Sequence, residues 1–340
     1  MSVTISTPSR LHFGLLRFEQ AEGPSFGGLG MMIAEPRCTV RMSASHEWHA
    51  SGPDANRAVV SAKRALDFIA TQVAAGQRPA GAAHQTPQAF QIEILESIPA
   101  HHGLGSGTQL ALAVAAGVRI ACGAPTADVE QLAAMGGRGR RSAVGCHGFL
   151  HGGLLYELGS YPDEPLGRLA KRVEVPGAWR VLLVTASQSA GLSGEHERSA
   201  FDQLPLVPES TTARLEQLAE SAILPAAERD DVEVFGEALF EYGCLAGECF
   251  ASVQGGPYAS AEIAACVEAL RGLGARGVGQ SSWGPTVFAV VEDQSRAEQL
   301  VAKMHAIPTW RDHAMRITSP DNHGATIGSS QFSPRSVTGG

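Results

Sequence analysis

Apolar residues recur along the first third of the chain in two spacings, and each spacing predicts a different element. Residues 38–42 and 90–95 alternate between apolar and polar side chains, as half-buried strands do. Residues 57–73 instead place Val59, Ala65, Ile69 and Val73 on one face of a predicted helix. An almost unbroken run of Ala, Leu and Val over residues 110–122 predicts a helix inside the core.

The rest of the chain continues this mixture of strands and helices. Further strands are predicted at 3–5, 11–16, 152–158, 179–185 and 286–291, the first two separated by Pro8, Ser9 and Arg10. Further helices are predicted at 126–135 with Thr126 as N-cap, and at 211–226, 232–250, 260–273 and 295–305. Such a mixture indicates an α+β or α/β protein built in layers.

A change of composition over residues 162–176 divides the chain into two predicted domains, 1–165 and 166–328, and its length fits two domains. Residues 329–340 are polar and end in Gly-Gly, which predicts a disordered tail. The same polar character after Pro320 predicts no further strand or helix.

Charge and apolar content narrow the class of protein. The formal net charge is −8, which argues against a nucleic-acid-binding surface. We find no apolar run long enough for a membrane span and no signal-peptide pattern, so we expect a cytoplasmic protein. The six cysteines are scattered without a C-x-x-C pair, which favours reduced thiols over a disulfide framework.

The strongest chemical signal is a glycine loop, defined as residues 102–109 (His-Gly-Leu-Gly-Ser-Gly-Thr-Gln), between a predicted strand and a predicted helix. Glycines allow successive backbone N–H groups to turn inward, and a helix start adds partial positive charge. The hydroxyls of Ser106 and Thr108 add donors. The sequence therefore predicts a phosphate or diphosphate site here. The loop lacks the Lys of a Walker A motif and the first βαβ unit of a dinucleotide fold.

Three segments in order resemble motifs of the GHMP kinase superfamily. Residues 98–113 resemble its central phosphate-binding motif, with Gly107 in place of a second Ser. Residues 7–15 (Thr-Pro-Ser-Arg-Leu-His-Phe-Gly-Leu) and 277–286 (Gly-Val-Gly-Gln-Ser-Ser-Trp-Gly-Pro-Thr) resemble its outer motifs. Both outer segments have the form of the β-ribofuranosylaminobenzene 5′-phosphate synthase branch.

The resemblance implies a GHMP-kinase-type two-domain α+β fold, with a ribosomal protein S5 domain 2-like N-terminal domain and a ferredoxin-like C-terminal domain. It implies transfer of a 5-phosphoribosyl group from phosphoribosyl diphosphate to 4-aminobenzoate or 4-hydroxybenzoate, with release of CO₂ and diphosphate, early in tetrahydromethanopterin synthesis. Mg²⁺ and a homodimer are further expectations. The kinases of the superfamily carry an Asp where this chain has Gly145. Without that carboxylate an alcohol lacks its usual base, which disfavours kinase activity.

The predicted site residues lie in the three motifs and in the basic segment that follows the predicted helix 126–135. Arg10 is a natural clamp for an arylcarboxylate or a 5′-phosphate, because its planar fork pairs with such anions in two places. We expect an imidazolium at His101 or His102 to offset diphosphate charge. The predicted catalytic residues are Arg10, His12, His102 and Arg141; the predicted substrate-binding residues are Ser9, His101, Gly103, Leu104, Gly105, Ser106, Gly107, Thr108, Gln109, Arg140, Ser142, Gly279, Gln280, Ser281, Ser282 and Gly284.

Other interpretations remain open at this level. The chain could be an ATP-dependent small-molecule kinase with another base, or a non-catalytic sensor of a phosphorylated ligand. Arg138, Arg140 and Arg141 could form an exposed turn instead of a phosphate site, and His147 could be structural. Residues 195–198 could be a mobile flap or an ordinary helix start, and Cys146 is more simply a buried thiol than a nucleophile.

Overall fold

The computed structural model describes residues 2–18, 20, 23–76, 87–124, 128–186 and 204–330. Two sheets organise this part of the chain. The strands of the first sheet are β1 (Ser2–Leu15), β2 (Gly28–Ser45), β3 (His49–Ser51), β4 (Ala89–Glu96), β5 (Leu154–Glu157), β6 (Leu169–Val173) and β11 (Thr326–Ser330). Those of the second are β7 (Arg180–Thr185), β8 (Gly277–Gln280), β9 (Thr286–Val291) and β10 (Met315–Thr318).

The described helices are α1 (Ala55–Ala74), α2 (Ser106–Ala121), α3 (Val129–Gly136), α4 (Val144–His151), α5 (Glu209–Leu218), α6 (Leu224–Glu228), α7 (Val232–Glu248), α8 (Ala251–Gln254), α9 (Ala261–Gly272) and α10 (Gln294–Ala306). A π-helical turn over Ala219–Ile223 joins α5 to α6. Asp128 caps α3, while the predicted cap Thr126 lies outside the described residues. The prediction overlooked α4, because Gly and Arg around it hide a short apolar helix.

The first sheet is built around two long strands. β1 pairs with β11 on one side and with β2 on the other, and β2 pairs in turn with β4 and β5. The predicted break at residues 8–10 is wrong as a strand end: β1 continues through it with register shifts at Thr7/Ser9 and His12/Gly14. A bulge lets a strand bend without ending, which is why Pro8 is tolerated inside it.

The second sheet has the order β10-β7-β9-β8 and is entirely antiparallel. Along the chain its strands and helices follow the βαββαβ sequence of a ferredoxin-like domain, as predicted. One face of this sheet has a core of its own, which includes Leu182, Val267, Val287 and Leu300, whereas Leu183 and Phe288 on the other face belong to the same core as the first sheet. The expected ferredoxin-like arrangement of the C-terminal half is thereby confirmed.

The predicted domain boundary between residues 165 and 166 does not coincide with the boundary between the sheets. Strand β6 follows that position but pairs with β5 in the first sheet. Strand β11 returns from the far end of the chain to pair with β1, so the expectation of no strand after Pro320 is wrong. Ser329 and Ser330 belong to β11, and the remainder of the predicted tail, 331–340, lies outside the described residues.

Helix α2 places the glycine loop at the centre of the molecule. Ala, Leu and Val leave almost every side of this helix buried, and it packs on β1, β2, α1 and α3. Helix α1 covers it through Ala58, Ala62, Ala65 and Ile69, spaced as one helical face. The N-terminus of α2 is therefore held rigidly beside β1. Among the described residues, no helix is long and apolar enough to cross a membrane.

Candidate active site

A cleft of about 1160 Å³ is lined by residues from both halves of the chain. The N-terminal half contributes β1 from Arg10 to Leu15, Thr108 of α2 and the loop 137–142. The C-terminal half contributes α7 and the segment around Gly279–Trp283. Ligand pockets commonly form between such units, so this cleft is the candidate active site.

The glycine loop is bent as the sequence predicted. His101, Gly103 and Gly105 all have positive φ, at 61°, 78° and 77°. Gly105 is the N-cap of α2, and its carbonyl accepts hydrogen bonds from the amides of Thr108 and Gln109, both at 3.0 Å. The first amides of α2 therefore lie at a half-buried turn, where they can donate hydrogen bonds to an anion.

Strand β1 holds this loop through hydrogen bonds from Arg10. The Arg10 amide donates to the Leu104 carbonyl at 3.0 Å, and Arg10 Nη1 donates to the Gly103 carbonyl at 3.3 Å. A Cβ atom at Gly105 would lie 3.3 Å from Arg10 Cβ and 3.5 Å from Arg10 Nε. Glycine at position 105 thus provides both the backbone angle and the space for the guanidinium.

Five arginines, Arg57, Arg64, Arg138, Arg140 and Arg141, form what we call the basic cluster. A Cβ at Gly107 would lie 3.0 Å from Arg57 Nη2 and 3.4 Å from Arg138 Nη2, so two guanidinium groups sit against the start of α2. Arg64, Arg138, Arg140 and Arg141 line the cleft. Sequence reasoning missed Arg57 and Arg64, because α1 lies far upstream and its arginines resemble an ordinary solvated face.

The cluster is electrostatically crowded. Reduced hydration in the cleft floor, followed by the charges of Arg57 and Arg64, lowers the pKa of Arg138, although part of its side chain stays open to solvent. Asp54 offsets one charge through a 3.0 Å bond from Arg57 Nη1. Repulsion among the remaining guanidinium groups would be relieved by a bound polyanion.

A chain of three polar side chains leads from the cleft into the core. His12 Nε2 lies 3.0 Å from Ser142 Oγ, which donates to Glu157 Oε1 at 2.6 Å. The Ala143 amide donates to the same carboxylate oxygen at 2.7 Å. His12 and Ser142 line the cleft, whereas Glu157 is 1% exposed. Sequence reasoning missed Glu157, which stands at the end of an apolar strand with no motif around it.

Burial shifts the pKa values of Glu157 and His12 in opposite directions. It raises the pKa of Glu157 to about 7, against the stabilising bonds from Ser142 and Ala143. Burial and the nearby Arg10 charge hold the pKa of His12 well below its usual range. At neutral pH His12 is therefore uncharged, while Glu157 is divided between its two protonation states.

The C-terminal side of the cleft carries an aromatic wall, which we define as Phe26, Phe250, Tyr258 and Trp283. The Phe250 and Trp283 rings meet edge to face with centroids 4.7 Å apart. Beside them Phe13 and Phe288 pack at 5.1 Å. A flat apolar ring can be held against such a surface. The arginines that line the cleft come from the N-terminal half of the chain and most of its aromatic side chains from the C-terminal half, and we call these two sets of residues the basic end and the aromatic end.

Several residues predicted to bind substrate are instead held by other parts of the protein. Gln109 is buried, accepts from Thr7 Oγ1, and donates to the Gly145 carbonyl at 2.9 Å. Ser9 is buried and donates to the Pro36 carbonyl, and Leu104 belongs to the core. These three support the loop from behind, and their contact with substrate stays a prediction.

The segment 281–284 fastens the glycine loop to the second sheet. Ser281 Oγ donates to the Gly103 carbonyl at 2.8 Å and accepts from the His12 amide at 3.1 Å. Gly284 approaches Gly103 so closely that a Cβ would lie 2.2 Å from the Gly103 nitrogen. Both therefore join the halves, while the neighbouring Gly279, Gln280 and Ser282 line the cleft.

The histidines before the loop differ from the expectation. His101 is exposed, and burial together with His101 lowers the pKa of His102. The lowered pKa disfavours an imidazolium at His102 in the unbound protein, and contact of His102 with a diphosphate stays a prediction. His147 is buried and bonds the Gly167 carbonyl at 2.8 Å, as a structural histidine does.

A side chain at position 145, near the place where kinases of the superfamily are expected to carry their acid, would be tightly packed. A Cβ there would lie 3.3 Å from Thr108 Cγ2 and 3.5 Å from Gln109 Nε2. Cys146 beside it is buried, which raises its pKa to about 12 and makes it unreactive at neutral pH. Glu157 is a buried carboxyl group that is connected to the cleft through Ser142.

The described residues contain no group of three or more His, Cys, Asp or Glu side chains arranged to hold a metal ion. The hydroxyls of Ser106 and Thr108 stand at the helix start, but hydroxyls alone make a weak site for Mg²⁺. The donor set therefore fits a metal that arrives with a diphosphate better than a resident metal. The suggested flap at 195–198 lies outside the described residues.

Comparison with known proteins agrees with this architecture. The family described as GHMP kinases N terminal domain matches residues 62–153, and the family described as GHMP kinases C terminal matches residues 223–307. The chain is 27% identical to β-ribofuranosylphenol 5′-phosphate synthase of Methanothermobacter thermautotrophicus over 316 residues, covering 86% of this chain and 90% of that one. It is 28% identical to the protein of the same name from Archaeoglobus fulgidus over 305 residues, covering 86% and 88%.

Solved structures share the fold at lower identity. A homoserine kinase from Cytophaga hutchinsonii superimposes with a TM-score of 0.62 at 15% identity, covering 96% of this chain and 97% of that one. Mevalonate diphosphate decarboxylase from Staphylococcus aureus gives a TM-score of 0.60 at 14% identity, covering 96% and 98%. At these identities the likeness concerns the fold alone.

Proposed function

The chain belongs to the GHMP kinase superfamily, and we propose that it is an enzyme of the β-ribofuranosylaminobenzene or β-ribofuranosylphenol 5′-phosphate synthase type. It would transfer the 5-phosphoribosyl group of phosphoribosyl diphosphate to 4-hydroxybenzoate or 4-aminobenzoate, with loss of CO₂ and diphosphate. The observation that carries the proposal is a single cleft lined both by arginine and by aromatic side chains. Relatives of this name cover most of the chain, and they support a role in methanopterin-type cofactor synthesis.

The basic end would hold the departing diphosphate. As the bond between ribosyl carbon and oxygen breaks, negative charge develops on diphosphate. The amides at the start of α2, with Arg138 beside Gly107 and Arg140 in the lining of the cleft, would stabilise that charge. Mg²⁺ bound to the diphosphate would neutralise further charge there, and we expect the hydroxyls of Ser106 and Thr108 in the first turn of α2 to reach it.

The aromatic end would hold the acceptor ring. The new C–C bond forms at the ring carbon that carries the carboxylate, so this carbon must lie against the ribosyl centre. The aromatic wall restricts the ring to one plane, and Arg10 can pair with the carboxylate. With the ring positioned in this way, no strong acid or base is needed at the ring carbon itself. When the bond to the carboxylate breaks, its electron pair stays in the ring and CO₂ departs.

Product analysis tests this proposal directly. The purified protein is incubated with Mg²⁺, phosphoribosyl diphosphate and each benzoate, and the products are identified by mass spectrometry. We expect a riboside phosphate that has lost the carboxyl group, together with free diphosphate. Parallel incubation with γ-labelled ATP and a panel of small alcohols examines the kinase alternative. Label transfer to an alcohol, without any riboside, would replace the proposal with a kinase.

A further inference from the structure

Glu157 is a fully buried carboxyl group that the proposed reaction has not yet used. One oxygen receives the hydrogen bonds from Ser142 and Ala143, while Oε2 is buried without a hydrogen-bond partner among the described residues. No arginine or lysine of the described chain forms an ion pair with it. A buried carboxyl group without a cation costs stability and is retained where its proton is useful.

The hydrogen bonds fix the direction in which a proton can move. The Ser142 hydroxyl has one hydrogen, and it donates to Glu157 when the carboxylate is ionised. Ser142 Oγ then accepts from the Val144 amide at 3.3 Å and from His12 Nε2–H at 3.0 Å. His12 in this tautomer carries its lone pair on Nδ1, which makes Nδ1 the ring nitrogen that can accept a proton from a ligand.

Strand β1 carries both Arg10 and His12 and sets the distance between them. The two residues are separated by one position in β1, within a stretch of regular pairing with Met32 and Gly30, so they face the same side of the sheet. Two strand residues span about 7 Å. That span matches a para-substituted benzoate whose carboxylate lies at Arg10 and whose para group lies at His12.

We propose that Glu157 is a positioning residue that acts through Ser142 to make His12 the base for the para hydroxyl group of 4-hydroxybenzoate. This inference rests on the proposed function. The hydroxyl proton passes to His12 Nδ1, the Nε2 proton passes to Ser142, and the Ser142 proton passes to Glu157. Three hydrogen bonds reverse direction together, and the proton is stored on the buried carboxylate.

Electrons balance through the same sequence. As the hydroxyl loses its proton, its electron pair moves into the ring, and the ring carbon bonds to the ribosyl carbon while diphosphate leaves with its own pair. The bond to the carboxylate then breaks, CO₂ departs, and its electron pair restores the aromatic ring as a phenolate. Reversal of the relay returns the stored proton to the phenolate oxygen. 4-Aminobenzoate needs no such transfer, because the nitrogen lone pair enters the ring directly.

Among the charged and titratable groups around the relay, Glu157 is the one whose charge changes near neutral pH. Arg10 on β1 stays cationic, and His12 stays neutral because burial and Arg10 lower its pKa. Cys146 on α4 and Tyr242 on α7 also face the carboxyl group, and burial raises the pKa of each thiol or phenol far above neutral. The relay is active only while Glu157 is ionised, so turnover of 4-hydroxybenzoate should fall as the pH drops below about 7.

The test compares the two benzoates in the wild-type enzyme and in Glu157→Gln. We expect the ratio of kcat for 4-hydroxybenzoate to kcat for 4-aminobenzoate to fall about 100-fold in the variant, the usual size of a general-base contribution. The acidic limb of the pH profile should be present for wild type with 4-hydroxybenzoate and absent from its 4-aminobenzoate profile. Ser142→Ala should reproduce the loss, and Ser142→Thr, which keeps the hydroxyl, should restore much of it.

Each outcome decides between the proposals. Equal losses with both benzoates, no loss with either, or a wild type that converts 4-aminobenzoate alone would overturn the relay while leaving the proposed function intact. If the wild-type enzyme converts 4-hydroxybenzoate alone, the relay is tested by the acidic limb of the pH profile and by the Ser142→Thr rescue, and absence of either would overturn it. A wild-type protein that converts neither would overturn the proposed function, and the relay with it. Thermal unfolding of each variant shows that the compared proteins are folded.

Discussion

Gly105 carries more of the proposed chemistry than its lack of a side chain suggests. Its positive φ forms the turn from which α2 starts, and a Cβ here would lie 3.3 Å from Arg10 Cβ. A left-handed backbone angle costs about 1–2 kcal/mol for a residue with a Cβ. Both effects act at the same place, so a small change at this position should affect binding before it affects folding.

We expect Gly105→Ala to weaken phosphoribosyl diphosphate binding at least tenfold, because the strained loop and the displaced Arg10 both alter the anion site. Isothermal titration calorimetry measures the affinity. Gly243→Ala is the control, since Gly243 also lines the cleft but a Cβ there meets no atom within 4 Å. Unchanged affinity in a folded Gly105→Ala protein would show that the amides of this turn do not hold the diphosphate.

Glu157 makes a second prediction at the residue scale, on stability. Below pH 4.5 the carboxyl group is protonated in folded and unfolded chains alike; between 4.5 and about 7 only the unfolded chain releases the proton. Raising the pH through this window therefore favours unfolding, by about 3 kcal/mol from this group. The stability of Glu157→Gln relative to wild type should rise by that amount between pH 4.5 and 8 in urea unfolding. A difference that does not change with pH would mean that the pKa of Glu157 is not raised.

At the scale of elements, β1 is the structure on which the site is assembled. It supports the glycine loop through Arg10, carries His12, and reaches the aromatic end at Phe13 and Leu15. The segment 281–284 then joins β1 and the loop to the second sheet. The two halves of the cleft are therefore held in register by a few hydrogen bonds and by close backbone contact.

Ser281→Ala should lower the free energy of unfolding by about 1–3 kcal/mol, because it leaves the buried His12 amide and the Gly103 carbonyl without their partner. Urea unfolding measures the change, with the exposed Ser252→Ala as control. The KM for phosphoribosyl diphosphate should rise as well, since the glycine loop loses an anchor. A Ser281→Ala protein as stable as the control would argue against this connection.

The elements were predictable where one periodicity dominates. Helix α1 and strand β4 were found within two residues of their ends, because each shows one spacing of apolar residues. Strand β11 and helix α4 were overlooked, since the first is recognisable only from its pairing with β1 and the second is rich in Gly. The bend of the glycine loop was predicted from its composition alone, because positive φ at Gly103 and Gly105 is a local requirement.

The site was less predictable than the fold, for a reason of distance along the chain. Arg10 and His12 were found through a motif and Arg141 through the basic segment at 138–141, and the structure places all three at one cleft. Arg57, Arg64 and Glu157 were missed, since only the packing of α1 and β5 brings them to the glycine loop or to Ser142. Conversely, Gln109 and Ser9 stand inside the motifs but are buried behind the loop.

At the scale of the whole molecule, the distribution of charge matters more than its sum. The net charge is −8, yet Arg57 and Arg138 lie at the start of α2, and Arg64, Arg140 and Arg141 line the same cleft as Arg138. A basic cleft in a chain of negative net charge favours a small polyanion over nucleic acid, whose backbone needs a broad basic face. We therefore expect the cleft to attract a phosphorylated substrate before any specific contact forms.

We expect Arg138→Met to raise the KM for phosphoribosyl diphosphate about tenfold, a loss of about 1.4 kcal/mol of binding free energy. The KM for the benzoate should change much less, because its ring lies at the aromatic end. Steady-state kinetics separate the two effects. Arg41→Met is the control, since Arg41 forms an exposed pair with Glu93 on the first sheet. A larger effect on the benzoate than on the diphosphate substrate would reverse the assignment of the two ends.

One measurement tests the central claim most directly: release of labelled CO₂ from carboxyl-labelled 4-hydroxybenzoate, followed together with diphosphate in the same reaction. The proposed chemistry predicts that CO₂ and diphosphate appear in a one-to-one ratio, and only when phosphoribosyl diphosphate is present. Diphosphate release without CO₂, or CO₂ release without phosphoribosyl diphosphate, would contradict a single cleft that joins the ribosyl group to the ring.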